Sequence, residues 1–186
     1  MTRLLLLRHG ESEWNVQGRW QGHADPPLTE FGERQSAVAA LVIEGVARVV
    51  ASDLRRARRT AEIIATTAGL GMVCLWAPLR ERDVGQWSGR TNDEVDAAFP
   101  DFRAEGRTPL GWEPDQHLLE RILPALVAIA SMPIDAIVVT HGGVIRLLEE
   151  HLGGAPPSTV ANLEGRWLEV EEDGISLGER VRLLEE

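Results

Sequence analysis

Near the start of the sequence, Leu4 to Leu7 form an unbroken apolar run that stops at Arg8-His9-Gly10-Glu11-Ser12. Four leucines are too few to cross a membrane and too short for a readable helical period, so they predict a buried strand. Such a strand belongs inside a sheet, with its polar successors emerging at the carboxyl edge. Gly10 has no Cβ, so the chain can turn there and a ligand can approach closely. The arrangement aims one imidazole and one guanidinium at whatever occupies that edge.

Arg-His-Gly alone occurs by chance in many chains. A second block gives it meaning: Ala136 to Thr140 is another apolar run, and it leads into His141-Gly142-Gly143. Between them, Val46 to Ala51 is a third short apolar run followed by Ser52-Asp53-Leu54-Arg55-Arg56-Ala57. In open α/β sheets the strand carboxyl ends share one crevice, so these stretches are expected to bring two histidines and several arginines together.

Composition narrows the chemistry. At 186 residues and 44% hydrophobic content, the chain is expected to form one domain over residues 1–186. A formal net charge of −10 argues against nucleic acid as a partner, because cations must replace the counterions of a phosphate backbone. Every basic side chain is arginine; with no lysine, Schiff-base chemistry and a P-loop are excluded. Cys74, the single cysteine, cannot form an internal disulfide. Its Cys-x5-Arg spacing to Arg80 matches cysteine phosphatases, but Leu75-Trp76-Ala77-Pro78-Leu79 is bulky, lacks glycine and includes a proline without an N–H. Met72 to Trp76 reads better as a strand with Cys74 packed inside it. No run is long enough for a transmembrane helix or a signal peptide, so no membrane partner and a cytoplasmic location are the expectation.

The remaining elements follow from period and punctuation. Glu13 to Leu28 reads as a loop over the site, offering Asn15, Gln21 and the Gly22 backbone. Thr29 caps a helix to about Val42, with Phe31, Val38, Leu41 and Val42 on its apolar face. A helix over Leu54 to Ala68 buries Ala57, Ala61, Ile64, Ala65 and Ala68, and turns Arg56 toward the crevice. Arg55, Arg58 and Arg59 read as solvated, with Arg58 or Arg59 within reach of an acidic substrate at the rim. Thr91-Asn92-Asp93-Glu94 is a capping box opening a short helix that ends before Pro100. Asp101 to Asp115 has no period. Leu118 to Ala130 and Val144 to Leu152 read as helices, the first bent at Pro124. Ile134 to Thr140 is a strand, and Arg166 to Val170 with Ile175 to Leu177 make a hairpin around Asp173-Gly174.

Taken together, Arg8-His9-Gly10-Glu11-Ser12 with Trp14-Asn15, Gln21-Gly22, Pro27-Leu28-Thr29, Ser52-Asp53-Leu54-x-Arg56-Ala57-x-x-Thr60-Ala61, Leu79-Arg80-Glu81 and Thr140-His141-Gly142-Gly143 resemble the histidine phosphatase superfamily, the phosphoglycerate mutase-like proteins. The resemblance runs through most of the chain. It implies a three-layer α/β/α sandwich around a mostly parallel sheet, with a variable lid around 101–117. It also implies His9 as nucleophile, Glu81 as proton donor with Asp83 as the fallback, and Arg8, Arg56 and His141 around the phosphate, with Asn15, Gln21, Gly22 and Gly142 binding substrate. Many relatives carry a Gly-Glu-Ser-like motif where this chain has Asp115-Gln116-His117, which leaves His117 either on the lid or on the surface.

Those residue types suit phosphoryl transfer. A neutral imidazole can take the phosphoryl group, planar guanidinium forks match its oxygens, and a carboxyl group can protonate the departing alkoxide. The arginines supply the charge, so no metal and no cofactor is expected, and activity should survive a chelator. The expected partner is a small phosphorylated substrate. Hydrolysis is favoured over a mutase, since the insertion and closing tail typical of mutases are not evident; a non-catalytic phosphate-binding relative is the third reading.

Overall fold

The computed structural model describes residues 1–157 and 159–184. Six strands form one sheet in the order β3-β2-β4-β1-β5-β6: β1 (Thr2–Arg8), β2 (Arg48–Ala51), β3 (Cys74–Leu75), β4 (Ala136–Thr140), β5 (Glu164–Glu171) and β6 (Gly174–Arg182). The first four run parallel to one another, while β5 and β6 form an antiparallel hairpin that pairs antiparallel with β1. Leu4 to Leu7 are all buried, as a run of apolar residues on a central strand covered on both faces must be.

Alternation along the strands divides the core into two. Leu4, Leu6, Val50 and Val138 face α5 (Asp115–Ala130) and α6 (Gly142–His151), through Leu118, Ile122, Leu126, Val144 and Leu148. Leu7, Val49, Ala51, Ile137 and Val139 face α2 (Glu30–Ala40) and α3 (Arg55–Ala68), through Ala39, Ala57, Ala61 and Ile64. The result is the expected three-layer sandwich. A third cluster lies beside the sheet: Val84, Trp87 and Val95 with Trp20, Phe99, Phe102 and Trp112, carried partly on α4 (Asn92–Ala98). No helix among the described residues is long and apolar enough to cross a membrane.

Several local expectations are corrected. The helix after Thr29 ends at Ala40, and it packs through Gly32, Ser36, Ala39 and Ala40. Phe31, Val38, Leu41 and Val42 are exposed. The reason is steric: a Cβ on Gly32 would sit 2.1 Å from the Glu11 carbonyl oxygen, so only the face of small residues fits against the chain after β1. Cys74 is exposed on a two-residue strand at the sheet edge, not packed within a longer one. An edge position gives an apolar run no second neighbour to bury against. The loop after Ser12 includes a short helix, α1 (Glu13–Val16), closed by a Ser12–Asn15 capping box that four residues cannot announce by period. Helices α5 and α6 begin at Asp115 and Gly142, and β6 runs to Arg182.

Candidate active site

The carboxyl ends of β1, β2 and β4 open into a cleft of about 700 Å³. Arg8, His9, Asn15, Gln21, Gly22, Arg56, Glu81 and Gly142 all line it, so eight of the nine proposed residues converge there. His141 does not line the cleft. It is fully buried directly behind His9.

His9 follows β1 and its backbone N–H donates to the Thr140 carbonyl at 3.1 Å, extending the β1–β4 pairing by one residue. Its Nδ1 lies 2.7 Å from the Gly10 carbonyl oxygen. A carbonyl can only accept, so Nδ1 carries the proton and the lone pair is on Nε2. Burial first, then the Arg56 and Arg8 charges, hold the imidazole well below the usual histidine range; the Gly10 bond pulls the other way. Neutral His9 is therefore the resting form. Gly10 is required by space: a Cβ there would stand 2.6 Å from the Gly32 carbonyl oxygen. The Gly10 N–H donates to Thr60 Oγ1, and Asn162 Nδ2 donates to the His9 carbonyl at 2.8 Å, so the turn is pinned on both sides.

Arg56 lies in the first turn of α3, whose opening Arg55 N–H is capped by Asp25. Its side chain is fully buried and donates to the Gly22 and Ala24 carbonyls at 2.9 and 2.8 Å. Burial lowers its pKa to about 10 against the pull of Glu81 and Asp25, which still leaves it charged near neutrality. Arg8 donates to the Val160 carbonyl at 2.5 Å, and burial lowers its pKa against the opposing pull of Glu81 and Glu164. Two guanidinium groups thus flank the imidazole and are held by backbone carbonyls rather than neutralised by close carboxylates.

Glu81 follows a 3₁₀ turn over Ala77–Leu79. Its Oε2 accepts from Gly143 N at 3.0 Å, at the start of α6, and its Oε1 from Arg82 N at 2.8 Å. Asp83 instead caps Gly85 N and does not line the cleft, so of the two candidates Glu81 is the one placed there. The amino terminus of α6, at Gly142 and Gly143, adds backbone N–H groups and a positive helix end to the same wall.

His141 places its Nε2 3.0 Å from Ser52 Oγ, and its Nδ1 has no partner. Burial, then chiefly the Arg56 charge, keeps it well below the usual histidine range. Asn15 and Gln21 meet at the Ser12 hydroxyl, which lies 3.0 and 3.1 Å from their side-chain oxygens. His117 is exposed on the first turn of α5 and does not line the cleft. Arg58 and Arg59 pair with Glu62 and Glu33 instead of reaching it. The sequence reading missed Asn162, Arg82, Trp112 and Arg121. Asn162 has no local signal at all, since its contact with His9 spans 153 residues.

Comparison with known proteins shows the family. Residues 4–178 match the family model described as histidine phosphatase superfamily (branch 1). A protein named Probable phosphoglycerate mutase GpmB from Erwinia tasmaniensis is 37% identical over 177 residues, 89% of this chain and 80% of its own. A glucosyl-3-phosphoglycerate phosphatase from Mycolicibacterium vanbaalenii is 35% identical over 172 residues, 84% of this chain and 76% of its own. The structure of a mycobacterial glucosyl-3-phosphoglycerate phosphatase with VO3 superposes with a TM-score of 0.84 at 30% identity, covering 96% of this chain and 97% of the other. The same mycobacterial enzyme with inorganic phosphate gives a TM-score of 0.81 at 27% identity, covering 96% and 95%. With its six-stranded sheet, its paired histidines and a match over nearly its whole length, this chain belongs to the histidine phosphatase superfamily.

Proposed function

We propose that the protein is a phosphomonoesterase that hydrolyses a small phosphorylated metabolite through a phosphohistidine at His9. The observation that carries this reading is the Nδ1–H bond to the Gly10 carbonyl, which leaves the Nε2 lone pair beside the guanidinium groups of Arg8 and Arg56, the second fully buried. In the first step Nε2 attacks phosphorus and the P–O ester bond breaks, while Glu81 gives its proton to the departing alkoxide. Positive charge developing on the ring is stabilised by the Gly10 carbonyl. In the second step Glu81 takes a proton from water, whose oxygen attacks phosphorus; the P–N bond breaks and phosphate leaves. Arg8 and Arg56 hold the non-bridging oxygens throughout, with the α6 amino terminus beside them. His141 acts on this reading from behind, fixing the His9 ring. The mycobacterial relative forms complexes with VO3 and with inorganic phosphate, which supports a phosphoryl-sized anion as ligand.

The GpmB-named relatives favour a second reading, in which the phosphoryl group returns to substrate instead of passing to water. Rapid quenching with a labelled phosphoester should trap an acid-labile adduct on His9. Steady-state assays should then show free phosphate release and no interconversion of phosphoglycerates. No adduct sinks the covalent scheme; isomerisation without phosphate release makes the protein a mutase.

A further inference from the structure

Glu81 lies on a strap, residues 80–83, that has no helix or strand to fix it. Its backbone carbonyls still need partners where they are buried. One side chain reaches two of them and a third just before the strap. Arg121, on α5, donates from one guanidinium nitrogen to the Pro78 and Arg80 carbonyls at 2.6 and 2.7 Å, and from the other to the Glu81 carbonyl at 2.9 Å. Its two remaining N–H groups meet both carboxylate oxygens of Glu113, at 2.7 and 2.8 Å. All five guanidinium N–H groups are thereby engaged, a geometry that a lysine cannot copy.

Glu113 is fastened to the same strap. Its backbone N–H donates to the Asp83 carbonyl, its Oε2 accepts from Asp83 N, and its carbonyl accepts from Arg82. Arg121 is about three-quarters buried and is not among the residues lining the cleft. It touches no reacting atom. What it fixes is the backbone from which the Glu81 carboxyl reaches Gly143 N.

We propose that Arg121, braced by Glu113, is a positioning residue that sets the proton donor Glu81 against the leaving oxygen. This rests on the phosphatase reading above, in which Glu81 acts as the acid. An acid held in place matters when the leaving group is a poor one. An alkoxide needs its proton during departure, whereas 4-nitrophenolate leaves without it.

The test compares kcat/KM for 4-nitrophenyl phosphate and for glycerol 3-phosphate in wild type, Arg121→Ala, Arg121→Lys, Glu113→Gln and Glu81→Gln. This parameter reports events up to ester cleavage, so the later reaction with water does not enter. Arg121→Ala is expected to lose roughly 100-fold on the alkyl ester and far less on the aryl ester. Arg121→Lys and Glu113→Gln should show the same asymmetry at smaller size, and all three should bind inorganic phosphate as wild type does in calorimetry. Equal losses on both esters, or none, overturn the proposal. Should Arg121→Ala not fold, the milder pair decides the matter by the same asymmetry. If Glu81→Gln itself shows no asymmetry, the acid assignment fails, which separates that failure from one confined to Arg121.

Discussion

The rings of His9 and His141 meet edge to face, with centroids 5.3 Å apart and planes inclined at 64°. The two residues are 132 positions apart, and strand register brings them together. Arg8 pairs with Thr140 at the end of the parallel β1–β4 ladder, so each histidine is the first residue beyond it. One ring lines the cleft and the other backs it.

His9→Ala should reduce turnover by about 10⁴-fold or more, because no neighbouring group replaces a lost nucleophile. Cys74→Ser should leave activity unchanged, since Cys74 is exposed at the sheet edge and does not line the cleft. Phosphate release by the purified variants checks both. The opposite pattern would point to cysteine chemistry.

Acid should destabilise the fold before the carboxylates titrate. His9 and His141 are both held well below the usual range, chiefly by burial. Their unfolded counterparts take up protons near a pH of about 6.5, so below that value the unfolded chain binds more protons than the native one. Stability is whole above this window and falls as pH drops through it toward the folded values, by up to about 1.4 kcal/mol per pH unit for each imidazole. Urea midpoints across this range should show the slope, and His141→Asn should flatten it. The paired carboxylates Asp53, Glu33, Glu94 and Glu113 are all shifted downward, so their contributions are lost only at lower pH.

Gly143→Ala should separate stability from activity. A Cβ there would stand 2.4 Å from Glu81 Oε1, the mobile end of a side chain, so the carboxylate is pushed aside while the backbone keeps its course. Alanine is the better helix former by about 1 kcal/mol. Thermal unfolding should be unchanged or raised, whereas hydrolysis of an alkyl phosphate should fall by roughly 100-fold from the displaced acid. At Gly142 the nearest atom would be Arg8 Cδ at 3.5 Å, an ordinary contact, so Gly142→Ala is sterically tolerated.

Arg56→Ala should damage both properties. It strips the Gly22 and Ala24 carbonyls of their donors, at a cost of about 2–5 kcal/mol in a denaturant melt. It also removes a charge from the proposed phosphate cradle, so titration calorimetry should show weakened binding of inorganic phosphate. Undiminished phosphate affinity would remove Arg56 from the proposed cradle.

Some of this molecule is written locally. The leucines of β1, the run before His141, the Ala57-Ala61-Ile64-Ala65 stripe and the Thr91–Glu94 capping box each declare their element within a few residues. The order of motifs along the chain declares the family and the cleft's main members, because residues at the carboxyl ends of parallel strands have few other places to go. The buried face of α2 is different. Its larger apolar residues point outward because the backbone at Glu11 leaves room only for glycine, serine and alanine, a constraint set by a segment distant in sequence. Cys74 is exposed because β3 closes the sheet, and edge position is a property of strand order. His141 lies behind His9, Asn162 holds the His9 carbonyl, and Arg121 braces the Glu81 strap because separate elements dock together. The residue types and the strand ends that carry them were determined by the sequence alone. Which imidazole lines the cleft, and what keeps the carboxyl opposite it, were decided by tertiary packing, since hydrogen bonds spanning 40 to 153 residues exist only once the layers have closed.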